Sequence, residues 1–361
     1  LPIYSKYIGA SALAIGGLFS IFSIVTLVIR PVVGKTIDRH GRKFFLGVGF
    51  FSYALSMFFF SYSTSVMLLY VGRIFQAMGS SFMWTSAYTI AMDMSESEEK
   101  GRAIGQVDGA NAQGSLYGAL MGFVLLSYRP FTFMQRWSIL FKTYAVLAIL
   151  AGVIALKDIP ETKNFKRREE EYKIDSSFSS EFFRLMGIVF VGTVATSMLS
   201  PLLMVYLQDR FTTDIGTLGL AFIPAALVYA FLPSRLGQVS DKLGRRIPMI
   251  IGLVGSGIVS ISFVYISKIE LLIIFWVLES ICIVMASPAE TAYVSEIVGE
   301  NILGYGYGIY LFVGSLGASI GPLLGGWLYD SFGYFVPFYL NGAILLLDAV
   351  LVYILFKGDS K

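Results

Sequence analysis

The stretch GKTIDRHGRK at residues 34–43 interrupts a long apolar segment with a cluster of charges, and a near copy, GQVSDKLGRR, occupies residues 237–246. The two stretches match at four positions with a constant offset of 203 residues. The same offset aligns Asp93 with Glu296 and a series of glycines further along each half. The chain therefore contains a parallel internal duplication of one structural plan.

The rest of the chain is strongly apolar, with 56% hydrophobic and 14% charged residues among 361 and a mean hydropathy of +0.72. A soluble domain carries about 25% charged residues, so this class is excluded. Eleven apolar runs are long enough to cross a bilayer as helices, which satisfy their own backbone hydrogen bonds. These runs cover about residues 11–33, 44–62, 66–92, 103–126, 138–156, 182–207, 215–236, 247–266, 270–295, 304–328 and 334–356.

The charges indicate the orientation and the domain boundaries. If residues 34–43 face the cytoplasm, 18 of the 27 lysines and arginines lie inside and five lie outside, as the positive-inside rule requires. We therefore expect a multi-pass protein of the cell membrane. The predicted domains are a bundle at 1–156, a charged cytoplasmic linker at 157–181 and a six-helix bundle at 182–361. The duplication also predicts that the first bundle has a sixth helix before residue 1.

The duplicated pattern G-x-x-x-D-R/K-x-G-R-R/K resembles the signature loop of the major facilitator superfamily, and the resemblance covers essentially the whole chain. It implies an all-α membrane fold of two six-helix bundles, of which this chain holds eleven spans. It also implies that Arg42 pairs with Asp93, and Arg245 with Glu296.

The resemblance further implies that Asp38 and Asp241 face the N-termini of helices in the opposite half, where carboxylates are favoured. These helices begin near Gly304 and Gly101, respectively. The predicted conformational latch comprises Gly34, Asp38, Arg39, Gly41, Arg42, Asp93, Gly237, Asp241, Gly244, Arg245 and Glu296. The alternative is that the basic residues act only as topology signals, which would leave the acidic residues unexplained.

Glycines are placed regularly in and after these motifs. Gly41 and Gly244 are expected to adopt backbone conformations that other residues avoid, and Gly34 and Gly237 to admit a neighbouring helix. Stripes of glycine at 114–122 and 317–325 are interpreted as close, slidable interfaces between the halves. The second stripe, within GPLLGG, resembles the glycine–proline motif of antiporters. The first-half copy departs from it at Ala119 and Phe123.

Ionisable residues inside the predicted spans are candidates for substrate binding and coupling, because such residues are costly in a bilayer. In the first half, Arg73 lies in RIFQAMGSS, which resembles the R-x-x-Q-G-x-G motif of proton-coupled drug antiporters, with Ala77 replacing a glycine. Asp108 is a candidate proton carrier, with Asn111 on a similar face of the helix. The alternative for Arg73 is that it only packs and extends its charge towards the membrane surface. The alternative for Asp108 is that it only stabilises the start of its helix.

In the second half, Glu279 and Glu290 are 11 residues apart, which places them on one helix face about 16 Å apart. At least one is expected to bind substrate or couple transport. The alternative is hydrogen bonding to neighbouring helices. Asp348 lies in the last span, which is peripheral in this superfamily, and we expect no central role for it.

The predicted function is secondary active transport of a small organic molecule by alternating access, with proton-coupled efflux by an antiporter as the leading version. A facilitative uniporter, a proton-coupled uptake symporter and a non-transporting sensor are the alternatives. An enzyme is disfavoured because the sequence has no histidine cluster, nucleophile–base pair or phosphate-binding loop. We expect no metal and no cofactor. The expected partners are the substrate, protons and lipid, without nucleic acid, around a monomer.

Overall fold

The computed structural model describes residues 1–95, 100–128, 130–162, 178–233, 236, 243–298 and 303–356, and all structural statements below refer to these residues. They form helices joined by short connections. The helices are α1 (Pro2–Tyr7), α2 (Ala12–His40), α3 (Arg42–Ser61), α4 (Val66–Asp93), α5 (Lys100–Ser127), α6 (Phe133–Asp158), α7 (Ser180–Leu199), α8 (Leu202–Arg210), α9 (Ile215–Phe231), α10 (Arg246–Phe263), α11 (Ile269–Val298), α12 (Leu303–Phe332) and α13 (Val336–Leu355).

Every predicted apolar run contains a helix, which confirms the all-α membrane fold. Nine segments of the described chain are long and apolar enough to span a membrane, counting α7 and α8 as one. The helix α9 is a shorter apolar helix, and α5 is not among the nine segments. The run at 182–207 is divided into α7 and α8 at Ser200 and Pro201, because proline has no backbone N–H with which to continue the helical hydrogen bonds.

The chain groups into two compact units. The N-unit contains residues 7–9 and 21–171, and the C-unit contains residues 1–6, 10–20 and 172–361. The helix α2 thus begins in the C-unit and ends in the N-unit. The predicted division into bundles at 157–181 stays a prediction, and residues 163–177 of that linker lie outside the described residues.

Close packing inside each unit depends on glycine. In the N-unit, a Cβ added at Gly49 of α3 would lie 2.6 Å from the backbone nitrogen of Met83 on α4. Gly79 of α4 returns the contact, 2.7 Å from the backbone nitrogen of Tyr53. Such distances allow no side chain, so the backbones of α3 and α4 lie in direct contact.

The charged stretch at 34–43 is not the loop that the sequence predicts. The helix α2 continues through it to His40, and Gly41 alone separates α2 from α3 with a φ of 99°. The prediction for Gly41 and Gly244 is confirmed, since Gly244 also has a positive φ of 78°. At Gly34 an added Cβ would meet none of the described residues within 4 Å, and the predicted approach of a neighbouring helix there stays a prediction. Charged residues are good helix formers, so hydrophilicity alone does not mark a loop.

The two glycine stripes pack differently inside their own units, and their interpretation as interfaces between the halves stays a prediction. On α12, Gly317 and Gly325 pack against α7 of the same unit, where an added Cβ would lie 2.9 Å from Thr193 and 2.5 Å from Met198. On α5, an added Cβ at Gly114 or Gly118 would meet nothing within 4 Å. The repeat is therefore present in the sequence, but the packing of its two copies is different.

Candidate functional site

The motif of the N-unit ends in a buried ion pair. The Nε of Arg42, at the start of α3, lies 3.1 Å from Oδ2 of Asp93 at the end of α4. The same carboxylate oxygen accepts a hydrogen bond of 2.8 Å from the hydroxyl of Thr162, which is fully buried. The predicted pairing of Arg42 with Asp93 is confirmed. Together with Thr162, the pair connects the start of α3, the end of α4 and the segment after α6.

Glu161 completes this cluster through the backbone. Its carboxylate accepts hydrogen bonds from the N–H groups of Arg42 and Lys43, at 2.9 and 3.1 Å. These are orphan donors of the first turn of α3, where a negative charge is also favoured by the helix dipole. A Cβ at Gly41 would lie 2.5 Å from the carboxylate. The glycine therefore allows the positive φ of the turn and also leaves room for the capping carboxylate of Glu161. The cap comes from 119 residues away and has no local sequence signal.

We expect Glu161→Ala to lower the free energy of unfolding by about 1–2 kcal/mol, the cost of removing a helix cap. Glu161→Gln should cost less, because the amide oxygen still accepts one backbone hydrogen bond. Urea unfolding of the purified full-length protein in detergent measures both. Asp158→Ala, an exposed acid at the end of α6, is the control and should change stability by less than about 0.5 kcal/mol.

The motif of the C-unit shows the matching pair. The Nε of Arg245 lies 2.8 Å from Oε1 of Glu296, as predicted. This pair is much more exposed than its counterpart, since 49% of the Glu296 side chain is accessible against 15% for Asp93. Gly237 and Asp241 lie outside the described residues, as do the side chains of Asp38 and Arg39. The predicted contacts of the two aspartates with helix N-termini therefore stay predictions.

A carboxylate does face a helix N-terminus at the other end of α2. Asp330 of α12 accepts hydrogen bonds from the backbone N–H groups of Ala12 and Leu13, at 3.0 and 2.8 Å. A Cβ at Gly16 would overlap the carbonyl oxygen of Pro322, and one at Gly326 would lie 2.6 Å from Cα of Leu13. We call this contact the α2–α12 clasp, and all of its residues belong to the C-unit.

Arg73 of α4 is held inside the N-unit by two kinds of contact. Its Nη1 donates a 2.7 Å hydrogen bond to Gln76, whose amide in turn lies 3.5 Å from the hydroxyl of Tyr53. Its guanidinium lies over the ring of Phe22, 4.6 Å from the centroid. The arginine is partly buried, and its planar group is held in place by polar and aromatic neighbours.

Asp108 lies near the start of α5, and it accepts a hydrogen bond from the hydroxyl of Tyr88 on α4. Trp84 lies one turn before Tyr88, with ring centroids 6.1 Å apart. Asp108 and Asn111 are both exposed on α5. Within the N-unit the acid is therefore accessible and lies beside an aromatic pair.

Glu279 of α11 has aromatic neighbours in the C-unit. Trp276 precedes it by one turn and packs edge-on against Phe222 of α9, with centroids 5.9 Å apart. Tyr229 of α9 lies close enough to interact electrostatically with the Glu279 carboxyl. A carboxyl group with aromatic rings around it is a typical environment for an organic cation.

Glu290 lies further along the same helix and accepts a 2.8 Å hydrogen bond from the hydroxyl of Tyr310 on α12. It is partly buried, like Glu279. Both acids were predicted from the sequence, but the tyrosines beside them, which lie on other helices, were not. The contacts of Glu161 and Asp330 were not predicted either, and no central role was expected for Asp348.

Comparison with known proteins identifies the family. The model of the Major Facilitator Superfamily matches residues 1–189 and again 185–361. Multidrug resistance protein 1 of Bacillus subtilis is 24% identical over 340 residues, covering 91% of this chain and 84% of that protein. The human chromaffin granule amine transporter is 26% identical over 365 residues, covering 96% of this chain and 66% of that protein. The mouse synaptic vesicular amine transporter is 25% identical over 358 residues, covering 96% of this chain and 67% of that protein.

The fold, the paired motifs and these matches agree with one another. The duplicated family match accounts for the 203-residue repeat, and the matched proteins are transporters, not enzymes. The chain thus belongs to the Major Facilitator Superfamily and is a multi-pass membrane transporter of a small molecule.

Proposed function

We propose that the chain exports organic amines and related lipophilic cations in exchange for protons, as a monomer that alternates between inward and outward access. The observation that carries the proposal is Glu279 beside Trp276 and Tyr229, an acid among aromatic rings in a transmembrane helix. A carboxylate supplies the charge that an ammonium group needs, and aromatic faces add cation–π attraction. The names of the matched relatives, which include amine and multidrug transporters, support the same substrate class.

Proton exchange follows from the chemistry of the acids. A carboxylate that binds a cation can bind a proton instead, so the two ligands compete for one group and are carried in opposite directions. Glu290 with Tyr310 and Asp108 with Tyr88 are further acids that could exchange protons. Arg73 retains its charge, so its proposed role is to orient Gln76 and Tyr53 in the N-unit and not to carry the proton.

The motif pairs belong to the conformational cycle in this proposal. Arg42–Asp93 and Arg245–Glu296 tie helix ends together on the predicted cytoplasmic side. The α2–α12 clasp lies at the opposite end of α2, on the predicted outer side. Alternating access requires that contacts of this kind form and break in turn.

The test is transport by the full-length protein in liposomes that contain a pH-sensitive dye. A lipophilic amine, a sugar and an organic acid are added in separate assays. We expect proton movement with the amine alone, and a loss of at least 10-fold in Glu279→Gln, because the amide cannot exchange a proton. Asp158→Asn, which removes an exposed acid, is the matched control and should transport like the wild type.

Other outcomes select the alternatives. Labelled amine that crosses without proton movement in both wild type and Glu279→Gln indicates a uniporter. Proton and substrate movement in the same direction indicates an uptake symporter. Movement of the sugar or the organic acid, but not of the amine, contradicts the proposed substrate class.

A further inference from the structure

Asp348 is an acid that the proposed transport cycle leaves unexplained. It lies in the middle of α13, and its relative exposure is 0%. Neither carboxyl oxygen has a hydrogen-bond partner among the residues that the structure describes. It therefore differs from Glu290, which is bonded to a tyrosine, and from Asp93, which is paired with an arginine.

The surroundings of Asp348 contribute space but no compensating charge. Gly192 of α7 faces it, and a Cβ added there would lie 3.0 Å from Oδ2 of the acid. Two turns earlier on α13, Asn341 donates a 2.7 Å hydrogen bond to the carbonyl of Ala195, while its own Oδ1 is left without a partner. Among the described residues, the contact between α7 and α13 thus offers no hydrogen-bond donor to either carboxyl oxygen.

Among the described residues, the charged groups of α7, α10 and α12, which pack against α13, are bonded to other residues or exposed. Glu181 of α7 accepts from Tyr293, and Arg184 of α7 is exposed. Arg246 of α10 donates to the carbonyl of Tyr353, and Asp330 of α12 caps α2. On α11, the carboxyl of Glu290, which is bonded to Tyr310, interacts electrostatically with that of Asp348.

An ionised Asp348 would therefore be a buried anion with no hydrogen bond and a second acid near it. Such a group is neutralised in proteins, because its desolvation is not repaid by any partner. We propose that Asp348 is a proton-binding site of the C-unit, occupied in this conformation. Release leaves a carboxylate and a free proton, and it requires that α13 part from α7 enough to admit water.

Infrared spectroscopy of the full-length protein in lipid tests the site directly, whatever molecule the protein transports. A protonated carboxyl absorbs apart from a carboxylate. At neutral pH we expect Asp348→Asn to lose one component of the protonated band, and Asp158→Asn to lose none. Equal protonated bands in wild type and Asp348→Asn show that the acid is ionised and overturn the proposal.

A second variant keeps the test valid if Asp348→Asn does not fold. Glu290→Gln removes the neighbouring acid but leaves Asp348 in place. We expect the protonated band of Asp348 to persist at neutral pH in this variant, because Asp348 keeps its buried position without a hydrogen-bond partner. Complete loss of the band in Glu290→Gln would assign the proton to Glu290 and contradict the proposal.

Discussion

Asp93→Ala is expected to lower the free energy of unfolding by about 3–5 kcal/mol, because it leaves the charge of Arg42 buried without its partner. Only 4% of the Arg42 side chain is accessible. The equivalent change in the C-unit, Glu296→Ala, should cost about 1 kcal/mol or less, since an exposed pair is screened by water. Chemical unfolding of the two purified variants in detergent measures the difference.

The duplication makes each variant the control for the other, because the two acids hold the same place in the repeat. Equal losses of stability would contradict the argument from burial. The double variant Arg42→Ala with Asp93→Ala should lose less than the sum of the two single changes, since the second change removes the unpaired charge that the first one leaves.

Gly16→Val is expected to open the α2–α12 clasp, because its side chain would occupy the position of the Pro322 carbonyl. Overpacking of this kind costs about 1–3 kcal/mol, and about 1.4 kcal/mol corresponds to a tenfold change in an equilibrium. A cysteine introduced at Ala12, which is 4% exposed, reports the opening. In a background with Cys282→Ser, we expect its labelling by an impermeant maleimide to become faster by on the order of 10-fold.

Gly34→Val is the matched control for this experiment. It places the same side chain on the same helix, at a position where an added Cβ meets nothing within 4 Å. Labelling in this variant should stay within about twofold of the parent, a difference below about 0.5 kcal/mol. Equal labelling in the Gly16 and Gly34 variants would show that the clasp is not closed by the glycine contact.

Much of the fold could be predicted from the sequence, because apolar length and an internal repeat are properties of the chain itself. The pairs Arg42–Asp93 and Arg245–Glu296 were also predictable, since the family resemblance implied them. The end of α2 at His40 could not be predicted, because a charged segment after an apolar run is compatible with either a helix or a loop.

The contacts that were missed depend on helices that are distant in sequence. Glu161 reaches the start of α3 across more than 100 residues, and Asp330 reaches the start of α2 across more than 300. The burial of Asp348 is likewise set by the way α13 packs on α7, which the composition of α13 does not reveal. Both glycine stripes look alike in the sequence, yet a Cβ added at each glycine of the α12 stripe would come within 3.0 Å of α7. On α5, among the described residues, only Gly122 of the stripe has a neighbour within 4 Å of an added Cβ, on α6.

The continuity of α2 has a mechanical consequence. The clasp at Gly16 and the signature motif at Asp38 lie on one unbroken helix, which runs through Pro31 without interruption. At 1.5 Å per residue the two positions are about 33 Å apart along the helix, close to the thickness of the hydrocarbon core of a bilayer. The clasped end and the charged end are thus connected by one continuous helical backbone, without an intervening chain of side-chain contacts.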